Sequence, residues 1–334
     1  MIAYNNEWLR NLSVRDEATE LYHNDCLTKT ELNLIETRFP VFFYTPNFFI
    51  RIGLFILTAI VLSFSFGLFA LLFLDGMDRL IGAMAIFFGT VAYIGLEYMV
   101  KNKNHYRSGA DDALLWTAAM LFFGGISYSV NAGPIAYYFI TTIISGYFVV
   151  RFTNRIMAAV AYFSLLGTFF YIAIRLGVYG KILAPFILMG LSAIIYLIAA
   201  RLKKSKSFIL YESCLQVTRI CALTGLYLSV NYFIVRELTN AMFDLNLPPD
   251  QGIPYGWAFW VFTCLIPLLY LARGIQKKDL LLIRVGLVLV AAIIFTIKSY
   301  YFIASIGVIM TLGGIVLAAL AYVILKYLKT PRHV

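Results

Sequence analysis

The stretch IRIGLFILTAIVLSFSFGLFALLFL, residues 50–74, holds one charged side chain, Arg51, at its start. At the rise of an α-helix it spans about 37 Å, enough to cross a hydrocarbon layer about 30 Å thick. Apolar runs of similar length recur at about 80–100, 112–130, 134–150, 156–175, 182–200, 213–235, 255–272, 280–297 and 304–326. The composition agrees: 61% of the chain is hydrophobic and 13% charged, where a soluble domain carries about 25% charged residues. These runs predict an all-α, polytopic helical membrane protein of about ten transmembrane helices.

The basic residues give the threading. Placing the N-terminus in the cytoplasm puts twenty of the 27 Lys and Arg in the head, the tail and the internal loops. Five (Arg79, Arg175, Lys181, Arg236, Lys298) then face outward, and Arg219 and Arg284 fall inside spans. That asymmetry predicts ten spans with both termini inside, a bundle over 48–328 and a basic tail at 329–334.

Residues 1–47 are polar and predict a small cytoplasmic helical head, with the first span as insertion signal. In SVRDEATELYHNDC (13–26) Ser13 and Asp16 have N-cap spacing. In LTKTELNLIETRFP (27–40) Thr28 and Glu31 have capping-box spacing, and Pro40 stops the helix. VFFYTPNFF (41–49) then supplies an aromatic belt suited to the headgroup zone. The head holds four basic and seven acidic residues, a net of −3 within a chain of +10, so the remainder carries +13. That charge sits in short topology-setting loops, which argues against a nucleic-acid partner and for membrane lipid. The head is also a place for a protein partner to dock, beside loops such as RLKKSKS (201–207).

Ionisable residues at membrane depth are costly and mark candidate sites. In KNKNHYRSGADDALLW (101–116), Asp111 and Asp112 open the third span and Glu97 ends the second. Two readings follow. Ser108 caps the helix and the aspartates favour its positive end, or Asp111, Asp112 and Glu97 converge on a proton or cation. In FILYESCLQVTRICAL (208–223), Glu212, Gln216 and Arg219 share one helical face, so that Gln216 bridges the two charges. Alternatively Arg219 snorkels to the headgroups, as Arg284 is expected to do. Pro267 is expected to kink span eight, and Gly124-Gly125 and Gly313-Gly314 to allow close helix approach. IRIGLFILTAIV (50–61) echoes IRVGLVLVAAII (283–294), an interfacial Arg followed by an apolar run in both.

Enzyme chemistry finds little footing. His23, His105 and His333 lie outside the spans, and no HExxH, GxSxG or phosphate-binding glycine loop occurs. No catalytic residue, cofactor or metal site is expected, and Cys26, Cys214, Cys221 and Cys264 form no CxxC pair.

The order LTKTELNLIETRFP, FFYTPNFFIRIGLF (42–55) and YRSGADDALLW (106–116) resembles uncharacterised bacterial multi-spanning membrane proteins of the domain-of-unknown-function kind, mainly over residues 1–120. The resemblance implies a bacterial cytoplasmic membrane and a head-plus-bundle layout, and brings no activity or site residues. Two functions are therefore expected: a transporter or channel for a small solute or ion with a cytoplasm-facing polar site, or a non-catalytic scaffold or sensor accessory acting through its head.

Overall fold

The structure, a computed structural model, describes residues 2–71, 77–246 and 251–300, with the isolated positions 311, 314, 318, 319 and 322. Among them the chain is helical, and a single β-bridge joins Tyr44 to His105. The helices are α1 (Asn6–His23), α2 (Lys29–Arg38), α3 (Phe48–Leu71), α4 (Met77–Asn102), α5 (Ala110–Ser129) and α6 (Pro134–Phe152). They continue as α7 (Arg155–Arg175), α8 (Gly177–Lys203), α9 (Glu212–Val230), α10 (Tyr232–Phe243), α11 (Gly256–Lys277) and α12 (Leu280–Tyr300), with a 3-10 segment, Lys206–Tyr211, before α9. Eight of these segments are long and apolar enough to cross a membrane, so this is a multi-pass membrane protein. The tenth expected span, 304–326, and the tail at 329–334 lie outside the described residues but for those isolated positions.

The chain forms two compact units: Met1–Thr168 with Leu202–Val217, and Phe169–Arg201 with Thr218–Val334. In the first unit α5 is the central helix, packed by α3, α4 and α6. Half of its residues are buried, Asp111 among them, and it is not one of the eight segments long and apolar enough to cross a membrane by composition. Its contact face is small: Ala113, Ala118, Ala119 and Gly125 are all buried. Small residues let helix backbones approach closely where lipid removes the hydrophobic drive to associate. α3 is the opposite case, with no buried residue in its most apolar window. In the second unit α11 and α12 form a tight hairpin around Leu271, Gly274, Ile283 and Gly286. The two echoed motifs are not equivalent: Gly286 is pressed against Leu271 whereas Gly53 meets nothing.

Three local expectations change. α1 starts at Asn6, capped by Asn5, whose side chain accepts from the amides of Glu7 and Trp8. Ser13 therefore lies inside the helix and its hydroxyl donates to the Arg10 carbonyl. The predicted span 213–235 is interrupted at Asn231. Its buried amide group donates to the Tyr227 hydroxyl (2.9 Å) and Thr296 Oγ1 (3.1 Å), and its Oδ1 caps α10 by accepting from Ile234. A side chain that offers the backbone such an alternative ends a helix, and a separate helix, α10, begins at Tyr232. Of the Gly124-Gly125 pair, only Gly125 is at a close approach. The Thr28–Glu31 capping box forms as expected; hydrogen bonds from the Thr28 amide and hydroxyl hold the Glu31 carboxyl below its ordinary pKa.

Gly124 and Gly125 test this packing. A Cβ on Gly125 would stand 2.9 Å from Ala85 Cβ and 3.0 Å from the Gly82 carbonyl, whereas one on Gly124 would meet nothing within 4 Å. Gly125→Ala should cost about 1–3 kcal/mol by overpacking. Gly124→Ala should be neutral or slightly stabilising, since alanine is the better helix former. Thermal unfolding in detergent, followed by size-exclusion chromatography, checks the contrast.

Candidate functional site

Among the described residues of the first unit, Arg51, Glu97, Lys101, Asp111, Asp112 and Arg151 lie at the end where the head joins the bundle, and the α4–α5 loop organises the aspartates. The Tyr44 amide donates to the Asn104 carbonyl (2.9 Å) and the Tyr106 amide to the Tyr44 carbonyl (3.4 Å), pinning the aromatic belt to the loop. Asn104, Arg107 and Gly109 all adopt positive φ. Gly109, at φ 95°, is the N-cap of α5, and a Cβ there would overlap the Arg51 carbonyl oxygen. Only glycine suits such a position, so the cap falls on Gly109 and not, as expected, on Ser108.

Asp111 reaches back into this loop. It is 2% exposed, and its carboxylate accepts from the amides of Arg107 (2.8 Å) and Ser108 (2.8 Å) and from Ser108 Oγ (3.0 Å). Because Ser108 gives its proton to Asp111, its oxygen accepts from His105 Nδ1 at 2.7 Å, which fixes the Nδ1–H tautomer. Asp112 takes Arg51 Nη2 of α3 at 2.6 Å.

Glu97 has different partners. Arg151 of α6 grips it with two nitrogens, Nε at 2.6 Å and Nη2 at 2.8 Å, and Lys101 Nζ adds an ion pair at 2.8 Å. The Tyr93 hydroxyl donates to Glu97 Oε1 (2.8 Å) and lies 2.6 Å from the Tyr147 hydroxyl. The three carboxylates thus belong to two networks with no shared hydrogen-bond partner among the described residues. In the sequence Arg151 and Arg51 read only as topology charges; each meets its carboxylate from another helix, 54 and 61 residues away.

Beside the Tyr93–Tyr147 pair lies a cleft of about 350 Å³, lined by Tyr93, Phe122, Ile143, Ile144, Tyr147 and Phe148. Ile143 and Tyr147 are exposed, so the cleft opens on the protein surface. A second cleft, of about 540 Å³, runs between α6 and α7 past Tyr138, Thr141, Ser164 and Gly167.

The head seats on the same helix end. The Ala3 amide donates to the Arg151 carbonyl at 2.8 Å. Tyr4, 7% exposed, sits edge-on to Tyr106 (5.1 Å), Phe43 (6.1 Å) and Phe152 (6.4 Å). Burial, then the nearby negative charge of Asp111, pushes the Tyr4 hydroxyl well above its ordinary pKa. Phe152 in turn lies 6.1 Å from the Tyr93 ring.

The polar face of α9 is not one network. In the first unit Glu212 is exposed and pairs with Lys203 at 3.1 Å, and Gln216 is exposed. In the second unit Arg219 is buried, pairs with Asp279 at 2.9 Å and lies over the Tyr196 ring. Two charges seven residues apart stand about 10 Å apart along the axis; each meets a nearer partner from elsewhere, so Gln216 bridges nothing and Arg219 does not snorkel. Arg284 is exposed.

No protein-family model, curated protein or solved structure matches this chain.

The Glu97 cluster carries an asymmetric prediction. Glu97→Leu strands Arg151 and Lys101 without their anion and should cost about 3 kcal/mol, the low end for breaking a buried pair. Arg151→Met leaves Lys101 on Glu97 and should cost about half as much. Detergent melting temperatures of both variants check the order.

Proposed function

We propose that this is a ten-span protein of the bacterial cytoplasmic membrane, termini inside, that takes a small amphipathic molecule from the inner leaflet into the Tyr93–Tyr147 cleft, the binding step of a carrier. The observation that carries this reading is the paired charge of Glu97 and Arg151 near the membrane boundary, linked through Tyr93 and Tyr147 to an open apolar cleft. Ionisable groups in spans are retained mainly where they serve a pathway or a ligand. Counting α5 as a span follows from connectivity. Its start packs beside Arg51 at the head end, its last residue leads to the far end of α6, and 20 residues reach about 30 Å. The twenty-to-five bias of basic residues supports the orientation. Asp111 and Asp112 serve here as loop and helix anchors.

A long-chain alcohol bearing a diazirine, added to the protein in nanodiscs, should label residues 143–148 in preference to the exposed face of α3. Ile143→Trp, which fills the cleft, should remove that preference. Equal labelling of α3 and the cleft in the unaltered protein would sink the reading.

A second reading, a sensor whose head reports on the cleft, has its own support: the head's Ala3 amide rests on Arg151, the residue whose side chain holds Glu97. Tyr4→Ala should loosen that seat. Limited proteolysis within residues 39–47 should then speed up several-fold while the spans stay protected; an unchanged rate would show that the aromatic seat does not hold the head.

A further inference from the structure

The hydrogen bonds behind the cleft run in one direction, and the direction selects a ligand. Glu97, between the cations of Arg151 and Lys101, is a carboxylate and can only accept. Tyr93 therefore gives its single proton to Glu97 at 2.8 Å. Its oxygen lies 2.6 Å from the Tyr147 oxygen, and a contact that short needs a proton between the two. Tyr93 has none left, so Tyr147 supplies it. What Tyr147 then offers to the cleft is the other side of its oxygen, an acceptor with no proton to give. Tyr147 is 49% exposed, on the open side of the cleft.

Resting on the cleft-binding reading above, we infer that the cleft selects an aliphatic molecule whose head carries a hydroxyl donor, which it gives to the Tyr147 oxygen. The apolar walls formed by Phe122, Ile143, Ile144 and Phe148 take the chain. A carbonyl, ester or ether head offers only lone pairs against that oxygen. To be received, it would have to turn the Tyr147 proton away from Tyr93 and break the 2.6 Å bond. An ammonium head would bring a third cation beside Arg151 and Lys101, against the one carboxylate of Glu97. Of these heads, the neutral hydroxyl satisfies the chain without undoing it.

The test compares the diazirine-bearing alcohol with its methyl ether, identical but for the missing proton, on the full-length protein in nanodiscs. Labelling of residues 143–148 is normalised to labelling of α3 in the same sample, which removes differences in partitioning. The alcohol should exceed the ether by about five-fold, the worth of one neutral hydrogen bond. In Tyr147→Phe the alcohol should fall to the level of the ether, with the ether unchanged. Equal labelling by both probes in the unaltered protein would overturn the donor selection while leaving cleft binding standing. If neither probe favours the cleft over α3, cleft binding itself fails, and the donor selection with it.

Discussion

A charge surrounded by hydrocarbon must be matched within the protein, and much of this architecture follows from how that requirement is met. Arg51 meets Asp112, Arg151 meets Glu97 and Arg219 meets Asp279, across separations of 61, 54 and 60 residues. The first two tie helix to helix and the third ties α9 to the α11–α12 turn, where lipid gives no hydrophobic reason to associate. Around them the contacts are of small residues, Gly82 and Ala85 of α4 against Gly125 of α5, while the large apolar side chains of α3 are left to the bilayer. Backbone groups obey the same rule. Asp111 satisfies two amides of a loop that bends through three positive-φ residues, and Asn231 does the corresponding work where α9 gives way to α10.

Matching a charge can also leave a reactive edge. Glu97 accepts from Arg151, Lys101 and Tyr93, and in the donor order inferred above the chain of protons ends on the Tyr147 oxygen beside an apolar cleft. The two hydroxyls carry the polarity of a boundary charge about one helical turn inward, to where an amphipathic molecule in the inner leaflet would place its head under the orientation proposed.

The end of α6 connects this site to the head. Arg151 holds Glu97 with its side chain and Ala3 with its carbonyl, and Phe152 touches both Tyr4 and Tyr93. Two successive residues thus serve the cleft and the head together, which is the physical basis on which binding and reporting readings share one site.

The sequence by itself determined the helical, multi-pass character, because apolar runs of bilayer length leave few alternatives once backbone groups must be paired within the segment. The boundaries of α4, α6, α7 and α11 follow from the same runs to within a few residues, and the Thr28–Glu31 box is a local signal that needs no tertiary help. The candidate carboxylates were legible as well, since a charge near a span stands out. Their partners were not. Arg151 in YFVVRF reads as one more topology charge, and nothing local says that a helix 54 residues away will bring Glu97 to it. Nor does sequence say that Gly109, with a carbonyl pressed against it, takes the cap that Ser108 is fitted for, or that Asn231 will end a helix within an apolar run. Those outcomes depend on which groups meet across helices. That is a matter of packing, and only the tertiary structure decided it.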